Sequence, residues 1–234
     1  LMPAPSPGQL KGLVSRTTAN FRIRLDRDVT AGDARRLGKQ LEHVYSEYNG
    51  RFGVPFHKKV DVYAFSSAGR YRSESRSGVY DDADYRDGKI YLNISLVLAS
   101  DTGLRYPAAR VVSEAVLDEL KWCPKWLAEV YGIYAGKDLS RFGPPAQLNV
   151  STFSDLTEDY ARAESQKDLK EIRARLAATA RFLIDRYGEK KTEQMYLQFK
   201  RPLRVEEAFE AAFGEKMPVI EKAWAAALRS PPKG

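Results

Sequence analysis

The stretch "RVVSEAVLDELKWCPKWLAEVYGIYAG", residues 110–136, decides how the rest of the chain is read. Val112, Val116 and Leu120 fall at helical spacing, Pro124 interrupts, and a second short helix follows through "KWLAEVYGIYAG". Each helix carries one acid, Glu114 and Glu129, and a Pro-Lys-Trp corner lies between them. Two apolar helices in series are the ordinary parts of a core. An acid on each also makes the pair a candidate site, although it holds no histidine.

Toward the N-terminus the pattern turns to strands. "NFRIRL" (20–25) alternates, with Phe21, Ile23 and Leu25 on one face. From Asp33 to about Tyr48, Leu37, Leu41, Val44, Tyr45 and Tyr48 predict a helix that "NGRFG" ends. "KVDVYAF" (59–65) reads as a second strand and "GKIYLNISL" (88–96) as a third, entered through the turn "SGVYDDADYRDG". Toward the C-terminus, "RFGPPAQLNVSTFSD" (141–155) reads as a loop. Ile172, Leu176, Ala180, Leu183, Ile184 and Tyr187 then form a helix face that Gly188 ends. Val205, Ala208, Phe209, Ala212 and Phe213 form another that Gly214 ends, and Pro218 opens a last helix with Ile220, Trp224 and Leu228. The expected architecture is α+β: a small N-terminal mixed sheet with one covering helix, a central helix pair and a C-terminal helical subdomain. Residues 1–19 read as an irregular Pro-rich lead or tether, 20–104 as the β-rich part and 105–234 as the helical part.

Composition narrows the function classes. With 234 residues and 43% apolar content the chain can bury a sizeable core. No run of about 18 apolar residues occurs, so no transmembrane helix is expected in this piece. The net charge of +7 arises from 38 bases interleaved with 31 acids. "GRYRSESRSG" (69–78) and "FKRPLR" (199–204) are too short for the basic stripe of a nucleic-acid binder, so no nucleic-acid partner is expected. The lone Cys123 excludes an internal disulfide and any multi-cysteine metal site.

A helical zinc-hydrolase site needs two imidazoles one turn apart, a glutamate beside the first, and a third ligand from the next helix. On residues 113–117 that template meets Ser113, Glu114 and Leu117, with Glu129 in the third-ligand place. Only the carboxylates match. His43 sits on the first predicted helix and His57 in the loop before the second strand, both far in sequence from the pair. No metal and no other cofactor is expected. A metal-free alternative keeps Glu114 and Glu129 as an acid and base pair, a chemistry suited to glycan hydrolysis.

The surroundings of these positions resemble gluzincin-type zinc peptidases, in particular the bacterial peptidase MA-like family. The similarity is carried by "CPKWLAEVYGIYAG" (123–136), where Pro124 and Trp126 precede the glutamate and a small-residue helix with a tyrosine follows. Further landmarks come in the family's order: "LEHVYSEYNGRFG", "KVDVYAF", "SGVYDDADYRDGKIYLN", "RFLIDRYGEKK" and "VEEAFEAAFGEKMPVIEKAW", together spanning about residues 20–229. The resemblance implies a thermolysin-like fold and a degenerate member of the family, lacking both metal-binding histidines. It further implies an extracytoplasmic place, periplasmic or surface-anchored, and a protein or peptide partner in a groove beside an edge strand. That edge is expected at "KIYLNISL" (89–96), with Tyr91 and Asn93 on one face. Glu114, Trp126, Glu129 and Tyr160 complete the candidate binding residues, although Trp126, Tyr131 and Tyr134 also suit plain helix packing. Tyr160, in the place of the family's site tyrosine, lies in "TEDYARAESQKDLKEIRARLAA" (157–178), which is longer than the corresponding family segment.

Overall fold

The computed structural model describes residues 13–75, 82–99, 104–137, 139, 142, 145, 152–162 and 166–229. It is α+β and divides into two compact units, 1–119 and 120–234. The division follows the helix that the sequence places at the start of the helical part, so that helix belongs with the sheet.

The first unit contains β1 (Leu13–Thr17), β2 (Phe21–Asp26), α1 (Ala31–Phe52), β3 (Val60–Phe65), α2 (Ala68–Ser75), β4 (Ala83–Arg86), β5 (Lys89–Asn93), α3 (Ile94–Ala99) and α4 (Arg105–Asp118). The sheet order is β1-β2-β3-β5-β4, with β2, β3 and β5 parallel and the two outer strands antiparallel to their neighbours. Strand alternation puts Phe21, Ile23, Leu25, Val62, Ala64, Ile90 and Leu92 on one buried face. Two helices cover it, not the single one expected: α1 packs on β2, α4 packs on β4 and β5, and the helices pack on each other. Thr30 caps α1 by accepting from the Asp33 N–H, and Gly53 ends the helix in the left-handed region at φ 58°. On the opposite face Tyr63, Phe65 and Tyr91 cluster with Tyr71 of α2.

Three expectations for this unit need correcting. Residues 13–17, assigned to the lead, form β1; "LVSRT" has no clean apolar alternation because an outer strand needs none. β5 is not an edge strand, since β3 and β4 flank it, and its extension ends at Asn93, where Ile94 and Val97 at helical spacing bury themselves in α3. Among the described residues the edge on that side is β4, which falls within the stretch expected as a turn. Its signal was Asp87-Gly88: both residues have positive φ, 51° and 70°, as the tightest hairpin connection requires. The first residues of that proposed turn, 77–81, lie outside the described residues, as do most of the loop at 141–155 and residues 1–12 of the lead.

One side chain ties α1 to the sheet. Glu42 accepts from the Asn20 N–H at 2.7 Å and from the Asn20 side-chain amide at 2.6 Å. Burial pushes its carboxyl up, but hydrogen bonds from Thr18 and Asn20 and the charge of Lys59 outweigh it and hold the group below its ordinary value of 4.5. A carboxyl lowered on folding stabilises above its unfolded value and loses that contribution as pH falls through the folded one. Glu42→Gln should therefore lower stability by about 1 kcal/mol at pH 7, the side chain being half-exposed. The gap between the urea midpoints of variant and parent should close as pH drops below 4.5. A gap that is constant with pH would contradict this linkage.

The second unit contains α5 (Lys125–Ala135), α6 (Phe153–Arg162), α7 (Gln166–Gln198), α8 (Val205–Phe213) and α9 (Met217–Arg229). α7 breaks at Gly188, the expected stop, and resumes beyond it. The core is a row of rings: Trp126 stacks on Phe153 at 5.8 Å, and Phe153 stacks on Trp224 at 4.5 Å, with Phe209 beside it. The indole N–H of Trp224 reaches the Thr179 hydroxyl at 3.0 Å. No helix among the described residues is long and apolar enough to cross a membrane.

Candidate functional site

Ser113, Glu114 and Leu117 lie on α4, in the first unit, and every residue of α4 from Pro107 to Leu117 is buried. Ser113 and Leu117 both have 0% relative exposure. The Ser113 hydroxyl donates to the Arg110 carbonyl one turn back at 2.8 Å, so its donor is spent within the helix. Beyond Leu117 polar groups gather. The Tyr85 hydroxyl of β4 donates to Asp118 at 2.7 Å, and His57 Nδ1 lies 2.7 Å from Glu119. Burial first, then Asp118 and the more distant Glu119 and Glu114, push the Tyr85 phenol far above its ordinary value, which keeps it a donor. His57 is remote in sequence from the helix pair, yet folding brings it to the C-terminal end of α4. His43 is exposed on α1.

Glu129 and Tyr160 lie in the second unit, and here the structure does bring predicted residues together. The Tyr160 hydroxyl donates to Glu129 Oε2 at 2.8 Å, and Arg173 Nε donates to Glu129 Oε1 at 2.8 Å. The ion pair is largely desolvated, with side-chain exposures of 13% for Arg173 and 15% for Glu129. Both carboxylate oxygens are thus engaged by groups from α6 and α7. Arg173 is the residue sequence reading missed. It sits in the segment marked as longer than the family's, and a half-buried Glu129 with no metal to neutralise it was the available hint that a cation should come from there.

The remaining candidates are structural. Tyr91 is buried and stacked on Tyr63 at 5.4 Å, and Asn93, at 0% exposure, accepts from Ser95 at 2.6 Å. They do share a sheet face, as expected, but neither is open to a partner. Trp126 is likewise enclosed in the ring stack, which favours its packing reading over a binding one. Tyr131 donates to Glu193 at 3.2 Å and meets Tyr196 edge-on.

A zinc ion does not fit this donor set. Ser113 is spent on a carbonyl, Leu117 offers no donor, and Glu129 is neutralised by Arg173. Among the described residues no three His, Cys, Asp or Glu side chains gather in a way that would hold a metal ion.

What β4 offers is main chain. Arg86 and Lys89 flank the two-residue turn and so form a hydrogen-bonded pair, and every second pair beyond repeats it. The Asn93 N–H to Asp82 carbonyl bond of 2.8 Å fits that register. The N–H and C=O groups of Ala83 and Tyr85 therefore point away from β5, and no described strand pairs with them there. No protein-family model matches the chain, and no curated protein is similar to it.

Proposed function

We propose that the chain is a catalytically inactive, peptidase-like domain that serves as a protein- or peptide-binding or scaffold module of the bacterial cell envelope. What supports this reading is the state of the three positions that the resemblance assigns to metal ligands: a back-bonded serine, a buried leucine, and a glutamate closed off by Arg173 and Tyr160. The envelope setting rests on the family resemblance alone. A partner segment would bind in extended form beside β4, where the outward main-chain groups of the half-buried Tyr85 supply hydrogen bonds and those of the enclosed Ala83 do not. The alternative, a metal-free hydrolase, needs Glu129 to exchange protons with a substrate, and both its oxygens already have partners.

Peptides selected from a random display library against the purified protein test the binding mode. On binding, the amide of Tyr85 should gain protection from hydrogen exchange, while those of Asp84 and Arg86, already paired with β5, and of the enclosed Ala83 should change little. Protection confined to other elements would contradict docking at this edge.

A further inference from the structure

The sheet face turned away from α1 carries, at its other end, a feature that peptide binding at β4 does not use. Register places Arg22, Asp61 and Lys89 in one row across β2, β3 and β5. Together with Lys58 and Lys59 they line a pocket of about 410 Å³, completed by the Asp87-Gly88 turn. Four cations therefore face two acids. One of the acids is already committed: Asp61 takes Arg22 at 3.2 Å and Arg24 at 3.5 Å. Lys59 donates to the Thr18 carbonyl, a neutral partner, and shares its charge with the field of Glu42. Lys58 and Lys89 have no acid partner among the described residues, which leaves Asp87 as the one uncommitted acid against them. A Cβ built on Gly88 would meet nothing within 4 Å, so the turn leaves its side of the pocket open.

The chemistry of these cations selects among anions. A carboxylate is best held by the two-pronged fork of an arginine, and Arg22 is engaged by Asp61. Ammonium groups are point charges with three donors on flexible stems, suited to a compact anion with charge on several sides. Bases of a nucleic acid would need an aromatic platform, and the nearby Tyr63 and Tyr91 are buried on each other. We propose that this pocket binds a multivalent phosphate-type oxyanion of diphosphate or triphosphate size, held mainly by Lys58, Lys59 and Lys89. The same chemistry is offered by a free polyphosphate or by a phosphorylated headgroup at a membrane surface.

Tripolyphosphate is the probe, titrated calorimetrically into the intact chain at low and high salt. Binding should weaken with salt, and Lys58→Glu with Lys89→Glu should weaken it at least tenfold, about what two charge-assisted contacts supply. Lys222→Glu, on α9, should leave it unchanged. Lys58 is exposed and Lys89 half-buried, and an unchanged circular dichroism spectrum guards against reading misfolding as lost affinity. Phosphatidylcholine vesicles doped with phosphatidic acid separate the two sources. Sedimentation with them that tripolyphosphate reverses assigns the pocket to a headgroup as well, and no sedimentation assigns it to a free ligand. The proposal is overturned if tripolyphosphate does not bind, if the double variant binds it as the parent does, or if polyglutamate binds as tightly.

Discussion

Arg173→Met is expected to cost the protein about 3 kcal/mol at neutral pH, a large share of the 5–15 kcal/mol typical of a domain. The guanidinium and the Glu129 carboxylate meet at 2.8 Å, both mostly removed from water. At an intermediate effective dielectric such a pair attracts by about 4 kcal/mol, but taking both charges out of water offsets much of that. Removing the arginine alone leaves the carboxylate desolvated and uncompensated, which is where most of the loss arises. Glu129→Gln with Arg173→Met should therefore be more stable than Arg173→Met alone, a reversal that packing loss by itself would not produce. Tyr160→Phe, which removes a neutral donor from the same carboxylate, should cost about 1.5 kcal/mol. The exposed pair of Arg162 and Glu158, at 75% and 58% exposure, is the control, and Arg162→Ala should stay within about 0.5 kcal/mol of the parent. Urea unfolding of these variants checks the series. Equal losses for Arg173→Met and Arg162→Ala would remove Arg173 from its role as the resident cation beside Glu129.

The sequence was legible where one physical signal dominated. α1, α5, α8 and α9 follow from apolar spacing with Gly or Pro at the ends, and β2 and β3 from alternation and β-branched content. Outer strands were harder. β1 and β4 are short and have one strand neighbour each among the described residues, so little of their pattern reports a buried face. "KIYLNISL" was ambiguous for another reason, since its apolar residues satisfy a period of two up to Leu92 and a helical period from Ile94 onward. At the candidate site, residue types told which donors the zinc template would lack but not which groups meet the carboxylates. Ser113 and Leu117 stand where the resemblance would place histidines, and this is read directly from the sequence. Arg173 lies 44 residues beyond Glu129 on another helix, and a cross-helix ion pair leaves no mark in spacing. His57 and Glu119, 62 residues apart, were invisible for the same reason.

If the chain descends from a zinc peptidase scaffold, Ser113 and Leu117 stand on α4 where that scaffold has its histidines, and Glu129 stands on α5 where it has its third ligand. Restoring the ligands is then a matter of two imidazoles and of freeing Glu129 from its guanidinium. Ser113→His with Leu117→His places histidines one helical turn apart, and Arg173→Met releases Glu129 Oε1. Without the last change the guanidinium competes for the same carboxylate, so the two-histidine variant should bind zinc far more weakly than the triple one. Each histidine enters a fully buried position, so the metal-free triple variant should be less stable than the parent and should recover stability on adding zinc. The decisive measurement is the zinc affinity of that triple variant, by chelator competition, beside the parent chain. The expected result is one equivalent held below about 1 µM by the variant and none by the parent. A folded triple variant that takes up no zinc, or a parent that binds one equivalent as tightly, would contradict descent from a metal site that has been lost.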